Sequence, residues 1–426
     1  MSQETPARTT QELPVSTLDT PCLPLASTNF SSVTSSNTMS PETSTTSRSI
    51  SLDDAVLGFD FAAPDDNDRL IFMDVDVSAR FHAFQLAVKQ KLDQNMRLTF
   101  EEDVQHILAL SSILLLKPAR THVELHEHIR LDTCDALLAH ILTSNGIIYR
   151  QFPEATKARL EQIVDDVATV VPMNIASDTI SFSRLAASRQ ITALLEGMTL
   201  NPTNRILLAI RNMVETLPRH VIEDGPQETE LITRYLQSAL APLFESIDEH
   251  VIFRWTSVGD DQKQATIRPD ASINIVYGAS LGRRLGCGEV KPQYQALNHR
   301  LVGLDLVRVA HLAKIASDKH KSRATFAFIV VGNHATFYVM HRIQYHLYTM
   351  CEVEHIQLPL SLSGIRLFIA QLNKLTKIIA SFNHVVSSGC HDHEHQPATL
   401  DDHMLQQVVD SKSSRKRKSI SSHYNH

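Results

Sequence analysis

Glycine is scarce in this 426-residue chain, with thirteen residues in all. None of them forms a Gly-rich phosphate loop, a Gly-x-Ser-x-Gly nucleophile elbow or the kinase motif set, so those enzyme classes are excluded. Cysteine is sparse as well. Cys22, Cys134, Cys287, Cys351 and Cys390 stand far apart, which excludes a Cys-based zinc set and fits a reducing compartment. No stretch reaches the roughly 18 apolar residues that a membrane helix requires. Met1 is followed by Ser-Gln-Glu-Thr, with neither the basic start nor the apolar stretch of a secretory signal. Aromatics are few, and no stacking series or recognition helix can be picked out, so sequence-specific reading of DNA has no support.

What is present falls into four regions. Residues 1–60 are rich in Ser and Thr with scattered prolines from Pro6 to Pro41; they hold too few apolar residues to offset ordering entropy, so a disordered tail is predicted. Residues 68–218 show strong helical periodicity and little Gly or Pro, and predict an acidic, all-helical module. A capping box at Thr99-Phe100-Glu101-Glu102 is expected to open one helix, with Val104, Ile107, Leu108 and Ile113 buried. Further helices are predicted over 132–142, 154–171, 183–198 and 204–217. Residues 225–385 alternate between strand and helix patterns. Residues 386–426 are polar, His-rich and then basic, and are expected to be disordered.

Charge is distributed unevenly. The whole chain is formally −7, yet residues 251–380 carry sixteen Lys and Arg against eight Asp and Glu, a net of +8. A basic module attached to an acidic remainder suits a phosphate-rich partner, because Lys and Arg bind such backbones by releasing counterions. A solvated basic face accounts for the same numbers. The acidic helical module could bind a protein partner or simply pack on its neighbour.

The densest chemical signal is Pro269-Asp270, a short predicted hairpin, and then Glu289-Val290-Lys291. A strand is predicted from Asp270, Gly278 and Gly282 mark the turn, and a second strand returns over 285–291. Alternation puts Glu289 and Lys291 on one face and Val290 towards the core. Two carboxylates on neighbouring strands, roughly 5 Å apart, can share a hard cation such as Mg2+ or Mn2+. The Val290 carbonyl could add an oxygen ligand, and Lys291 would stand beside the attacking water.

These residues resemble the motif of the PD-(D/E)XK nuclease superfamily. The resemblance covers roughly residues 225–385 and implies an α+β fold whose mixed-sheet, restriction-endonuclease-like core runs helix, three strands, helix, strand. The sequence offers those elements in order: a helix over 228–244 with Leu231, Tyr235, Leu236, Ala239 and Leu243 buried; strands over 251–255, 270–277 and 285–291; a helix over 301–317; and a buried strand over 324–331. The 301–317 helix has an apolar stripe through Leu301, Leu304, Val307, Ala310 and Ile315, leaving Arg308, His311 and Lys314 for other faces. Strands over 336–343 and 347–356 and a helix over 364–382, with Leu367 and Phe368 on its buried side, complete the region. The superfamily often places a metal-site carboxylate on the first helix, which makes Glu230 a candidate ligand; an i,i+4 pair with Arg234 is the plainer reading. The resemblance implies a Mg2+-dependent phosphodiesterase with Asp270, Glu289 and Lys291 as catalytic residues. The same half also resembles an uncharacterised family of fungal proteins carrying Arg-Pro-Asp-Ala, Gly-Glu-Val-Lys and Asp-Leu-x-Arg, here 268–271, 288–291 and 305–308. That second likeness leaves open a nuclease-like scaffold without catalysis.

Two histidine groups stand apart. His122, His126 and His128 are spaced for a helix face but lack the HExxH order and a defined third ligand, so a solvated face is expected. The Cys390–His395 cluster lies in a polar tail, where adventitious metal binding is the default. Arg415, Lys416, Arg417 and Lys418 have the composition of a nuclear-import segment. Nuclear accumulation of a fluorescent fusion is therefore expected to disappear when all four are replaced by alanine; an unchanged distribution rejects that role.

Overall fold

A seven-stranded mixed sheet organises the structure, a computed structural model that describes residues 61–169, 179–197, 199–256, 268–344, 346–391 and 397–410. The expected N-terminal tail over 1–60, residues 392–395 of the Cys390–His395 cluster and the basic run Arg415–Lys418 lie outside the described residues. A small hairpin, β1 (Ile71–Phe72) and β2 (Val75–Asp76), precedes the main sheet. The sheet contains β3 (Ile113–Leu116), β4 (Val251–Trp255), β5 (Ala271–Tyr277), β6 (Ser280–Lys291), β7 (Ala324–Val331), β8 (His334–Gln344) and β9 (Leu347–Gln357), in the spatial order β3-β9-β8-β7-β6-β5-β4.

The strands β4, β5 and β6 form an antiparallel meander, and β7 runs parallel to β6 with Glu289 opposite Ile329. A parallel neighbour needs a crossover, which is supplied by the long helix His299–His320. The sheet is buried where its strands read as continuous apolar runs. In β7, Ala324, Phe326, Ala327, Phe328 and Val330 are all at most 1% exposed, the pattern of a strand covered on both faces. Phe244, Phe253, Phe326, Phe337 and Phe382 form a linked set of ring contacts, with centroid separations from 5.0 to 6.4 Å. Gly288 has to be glycine, because a Cβ there would overlap the Phe328 ring.

The helices are α1 (Val77–Asp93), α2 (Val104–Leu110), α3 (Val123–His128), α4 (Leu131–Ser144), α5 (Glu154–Thr169), α6 (Thr179–Thr192) and α7 (Pro202–Thr216), then α8 over 228–244, α9 (His299–His320), α10 (Ile365–Ile369), α11 (Leu372–Ser387) and α12 (Asp402–Val408). Among the described residues, no helix is long and apolar enough to cross a membrane.

Several expectations need correction. The 68–218 stretch is not all-helical: Ile113–Leu116 is a fully buried strand, parallel to β9 at the sheet edge. Four consecutive apolar residues after a helix look alike as helix or strand, and the sheet decides between them. Glu101 and Glu102 lie in a turn, and α2 starts only after Asp103, whose Oδ2 accepts the Thr99 N–H at 2.8 Å. The helix expected over 364–382 is two helices, broken at Ala370-Gln371, and Leu367 is 61% exposed. The break lets the Gln371 side chain bond the backbone N–H and C=O of Gln357.

The crossover helix differs from its sequence reading as well. Ile315 is 42% exposed, while His311 and Lys314 are buried at 1% and 0%. The His311 Nε2 meets the Ser111 hydroxyl at 2.9 Å, and that same oxygen accepts the Leu400 N–H. Burial, with the nearby Lys314 charge, takes the His311 pKa down to about 3, so it is neutral in the fold. Lys314 donates to the Pro397 carbonyl at 2.7 Å, to Thr399 Oγ1 at 2.8 Å and to Asp318 Oδ2 at 3.1 Å. A buried ammonium is tolerable only with such a full set of acceptors. The region after 386 is therefore ordered where it is described. Leu400, Leu405, Val408 and Val409 join the core, and Leu98 exchanges backbone bonds with Val408 and Asp410.

Candidate functional site

Three elements converge where β5 begins and β6 ends. Asp270 immediately precedes β5, and its Oδ2 accepts the Val290 N–H at 2.8 Å. This bond fixes the carboxylate beside the next strand. Alternation along β6 then buries Val290 on one face and turns Glu289 and Lys291 to the other. Lys291 Nζ lies 3.9 Å from Asp270 Oδ2 and 3.9 Å from Glu289 Oε2. It also donates to the Val290 carbonyl at 3.0 Å, so the oxygen considered as a metal ligand is held by the lysine here.

The crossover helix α9 contributes two residues that the sequence reading left without a role. Asp305 Oδ2 lies 3.3 Å from Lys291 Nζ, and Arg308 Nη1 lies 3.6 Å from both Glu289 Oε2 and Asp305 Oδ1. Their i,i+3 spacing puts them on one helix face, and the packing of α9 across β6 and β7 brings that face over Glu289. Asp305 is as buried as Glu289, each with its side chain 1% exposed. A buried acid within an apolar stripe is a signal that could have drawn attention to it.

The expected ligand Glu230 is engaged elsewhere, bonding Arg234 Nε at 3.0 Å through a half-exposed pair. The acid of this helix that feels the cluster is Glu228. Burial raises its pKa and the Asp270 charge adds to the rise, against the pull of Lys291. Residues Leu231–Leu236 adopt a π-helical turn, with the Gln237 N–H reaching back to Ile232. Such a turn holds one residue more than an α turn, so it changes which residues of the first turn face the sheet.

The electrostatics are unusual. Both oxygens of Glu289 are buried without a hydrogen-bond donor among the described residues. Burial, reinforced by the Asp270 charge, pushes the Glu289 carboxyl up to about 8, despite Arg308 and Lys291. Asp305 is raised by burial in the same way. Burial would lower the Lys291 pKa, but Asp305, Asp270 and Glu289 outweigh it and hold the ammonium charged. Three acids and two cations thus share one partly enclosed site, with too few hydrogen bonds for the acids, an arrangement that favours a further cation.

A second cluster lies in the helical half of the chain. Asp103, His106 and His122 place one ligand atom each within 4.8 Å of one another. The sequence reading had grouped His122 with His126 and His128; the structure groups it with two residues of the preceding helix and its cap. Comparison with protein-family models, curated proteins and solved structures finds no significant match to the chain.

Proposed function

We propose that this protein is a metal-dependent phosphodiesterase acting on nucleic acid, most simply a DNA endonuclease, with the cluster around Glu289 as its active site. The observation that carries this reading is the Glu289 carboxylate, buried beside Asp270 and Asp305 with no hydrogen-bond donor on either oxygen among the described residues. The helix, antiparallel meander, crossover helix and parallel strand around it support the reading, as does the PD-(D/E)XK-like spacing of Asp270, Glu289 and Lys291.

A hard divalent ion fits these residues, since Mg2+ and Mn2+ favour carboxylate oxygens and tolerate partial coordination by protein. Asp270, Glu289 and Asp305 would hold it. The ion supplies Lewis-acid polarisation of a phosphoryl oxygen and an acidified water. The chain's own groups do the rest. Lys291 orients the attacking water and offsets charge that builds in the transition state. Arg308, with its side chain 30% exposed, is placed to pair with a non-bridging phosphate oxygen. Beyond Lys291, the loop that carries Tyr294 and Leu297, 65% and 87% exposed, offers an aromatic face on which a base can stack. The +8 charge of residues 251–380 supports a polyanionic substrate.

Lys291 and Arg308 already pair with all three acids of the cluster. That observation favours a second reading, a nuclease-like module without cleavage that serves as a nuclear nucleic-acid-binding or protein-interaction scaffold. Purified full-length protein incubated with supercoiled, linear and single-stranded DNA separates the two. Cleavage is expected with Mg2+ or Mn2+, none with chelator, and a loss of at least ~100-fold in Asp270→Asn. A wild-type protein that takes up no divalent ion and cuts none of these substrates rejects the enzyme.

A further inference from the structure

We propose that Asp103, His106 and His122 bind a single Zn2+ ion that ties the cap of α2 to the start of α3. This site shares no residue with the Glu289 cluster, and nothing in the phosphodiesterase reading requires it.

The His106 side chain is fully buried. Its Nε2 faces Glu124 Oε2 at 3.0 Å. Glu124 is also paired with Lys91, which leaves its carboxylate as an acceptor. An ionised acceptor at that distance takes the N–H of the imidazole. The Nε2 proton is thereby assigned, and Nδ1 is left as a lone pair. That lone pair has no hydrogen-bond partner among the described residues, and it lies 3.6 Å from Asp103 Oδ1. Two electron-rich atoms face each other in a buried place, which is unfavourable unless a cation sits between them. A metal ion placed between the two atoms meets that need.

The surroundings are those of a supported ligand set. Asp103 Oδ2 is occupied by the Thr99 N–H and hydroxyl at 2.8 and 3.1 Å, which turns Oδ1 to His106. A carboxylate behind a ligating histidine, as Glu124 stands behind His106, fixes tautomer and ring orientation. The His122 ring lies edge-on to that of His106, with centroids 4.4 Å apart. In this structure His122 Nδ1 accepts the Glu124 N–H at 3.2 Å. Metal on Nδ1 would use that lone pair, and metal on Nε2 would need a proton on Nδ1. Either way the cap bond is exchanged for the metal, so binding acts directly on the first turn of α3.

Two imidazoles and one carboxylate are borderline ligands that suit Zn2+, whereas Mg2+ and Ca2+ favour all-oxygen sites. Tetrahedral Zn2+ bonds of ~2.0–2.1 Å keep ligand atoms ~3.3 Å apart. Binding would draw the 4.8 Å group together to that separation. Water completes the fourth position, reached past Asp103, whose side chain is 18% exposed.

The test uses full-length protein in which His393 and His395 are replaced by alanine, so that the Cys390–His395 cluster loses two of its three histidines. Chelator-stripped protein is titrated with Zn2+ by calorimetry, and with Co2+ by visible absorption. One equivalent of Zn2+ should bind with a Kd at or below about 1 µM, Co2+ should give the intense bands of tetrahedral geometry, and the melting temperature should rise with metal. His122→Ala and Asp103→Asn, both at partly exposed positions, should each weaken binding by about 100-fold or more while the metal-free protein stays folded. Asp270→Asn should keep full Zn2+ affinity. The proposal is overturned by a stripped protein that binds no Zn2+, by equal binding in His122→Ala and Asp103→Asn, or by loss of Zn2+ affinity in Asp270→Asn. The last result would place the ion at the Glu289 cluster.

Discussion

Replacing Glu289 by glutamine is expected to stabilise the metal-free protein at pH 8 and, in the same molecule, to abolish metal-dependent cleavage. The sign follows from proton linkage. In the unfolded chain the carboxyl ionises near its ordinary value of 4.5, whereas in the fold it is pushed up to about 8 by burial and by Asp270. Between those values the folded protein holds a proton that the unfolded chain has released, so stability falls as pH rises through that window. Each pKa unit corresponds to ~1.4 kcal/mol, and with side-chain relaxation the loss is expected to be about 2–4 kcal/mol by pH 8. Glutamine keeps the shape and cannot ionise. Urea denaturation in chelator should therefore show the variant more stable at pH 8, near-equal at pH 5, and with a flatter profile between. Asp305 is also raised by burial, so some pH dependence remains in the variant. Metal binding should show the complementary effect. A divalent ion supplies the charge that lets Glu289 ionise, so wild-type affinity should climb with pH up to about 8 as the ion displaces a proton. Parallel pH–stability curves for the two proteins would show that Glu289 is already ionised in the metal-free fold.

The split between what was legible in the sequence and what was not runs along one physical line. Asp270, Glu289 and Lys291 were readable because their juxtaposition depends on strand alternation and one hairpin, both local. The buried β7 run and the Val251–Trp255 strand were readable for the same reason. Asp305 and Arg308 were visible as residues but not as partners, because only the packing of α9 across β6 and β7 brings them to Glu289. The Ile113–Leu116 strand depends on pairing with β9, more than 230 residues away in the chain. The break at Ala370-Gln371 has no glycine or proline to announce it. It coincides with the two bonds between Gln371 and Gln357, which are long-range. His106 and His122 meet because β3 and its flanking turns return the chain past α2, a tertiary event that helical spacing cannot forecast. Local periodicity thus found the elements, and long-range pairing decided which side chains share a charge.

Lys291→Met is the variant expected to separate metal binding from chemistry most sharply. The methionine keeps much of the apolar stem and removes the one ammonium that stands 3.3 to 3.9 Å from three carboxylates. Without metal, those acids then face one another with only Arg308 left beside them, so the variant should be destabilised at neutral pH and above. With Mg2+ or Mn2+ the same repulsion works in the opposite direction. The ion takes the place of the lost positive charge, so affinity should hold or tighten and stability should be restored. Cleavage should not follow. If Lys291 orients the attacking water and offsets transition-state charge, its loss should reduce the rate by at least ~100-fold, about 3 kcal/mol of stabilisation. Calorimetric titration, thermal melts with and without metal, and single-turnover cleavage on one preparation give the three readings together. Rescue of stability by metal with no rescue of rate is the expected pattern. Loss of metal binding together with rate would instead make Lys291 a structural prop of the site, and an unchanged rate would move the chemistry to other residues.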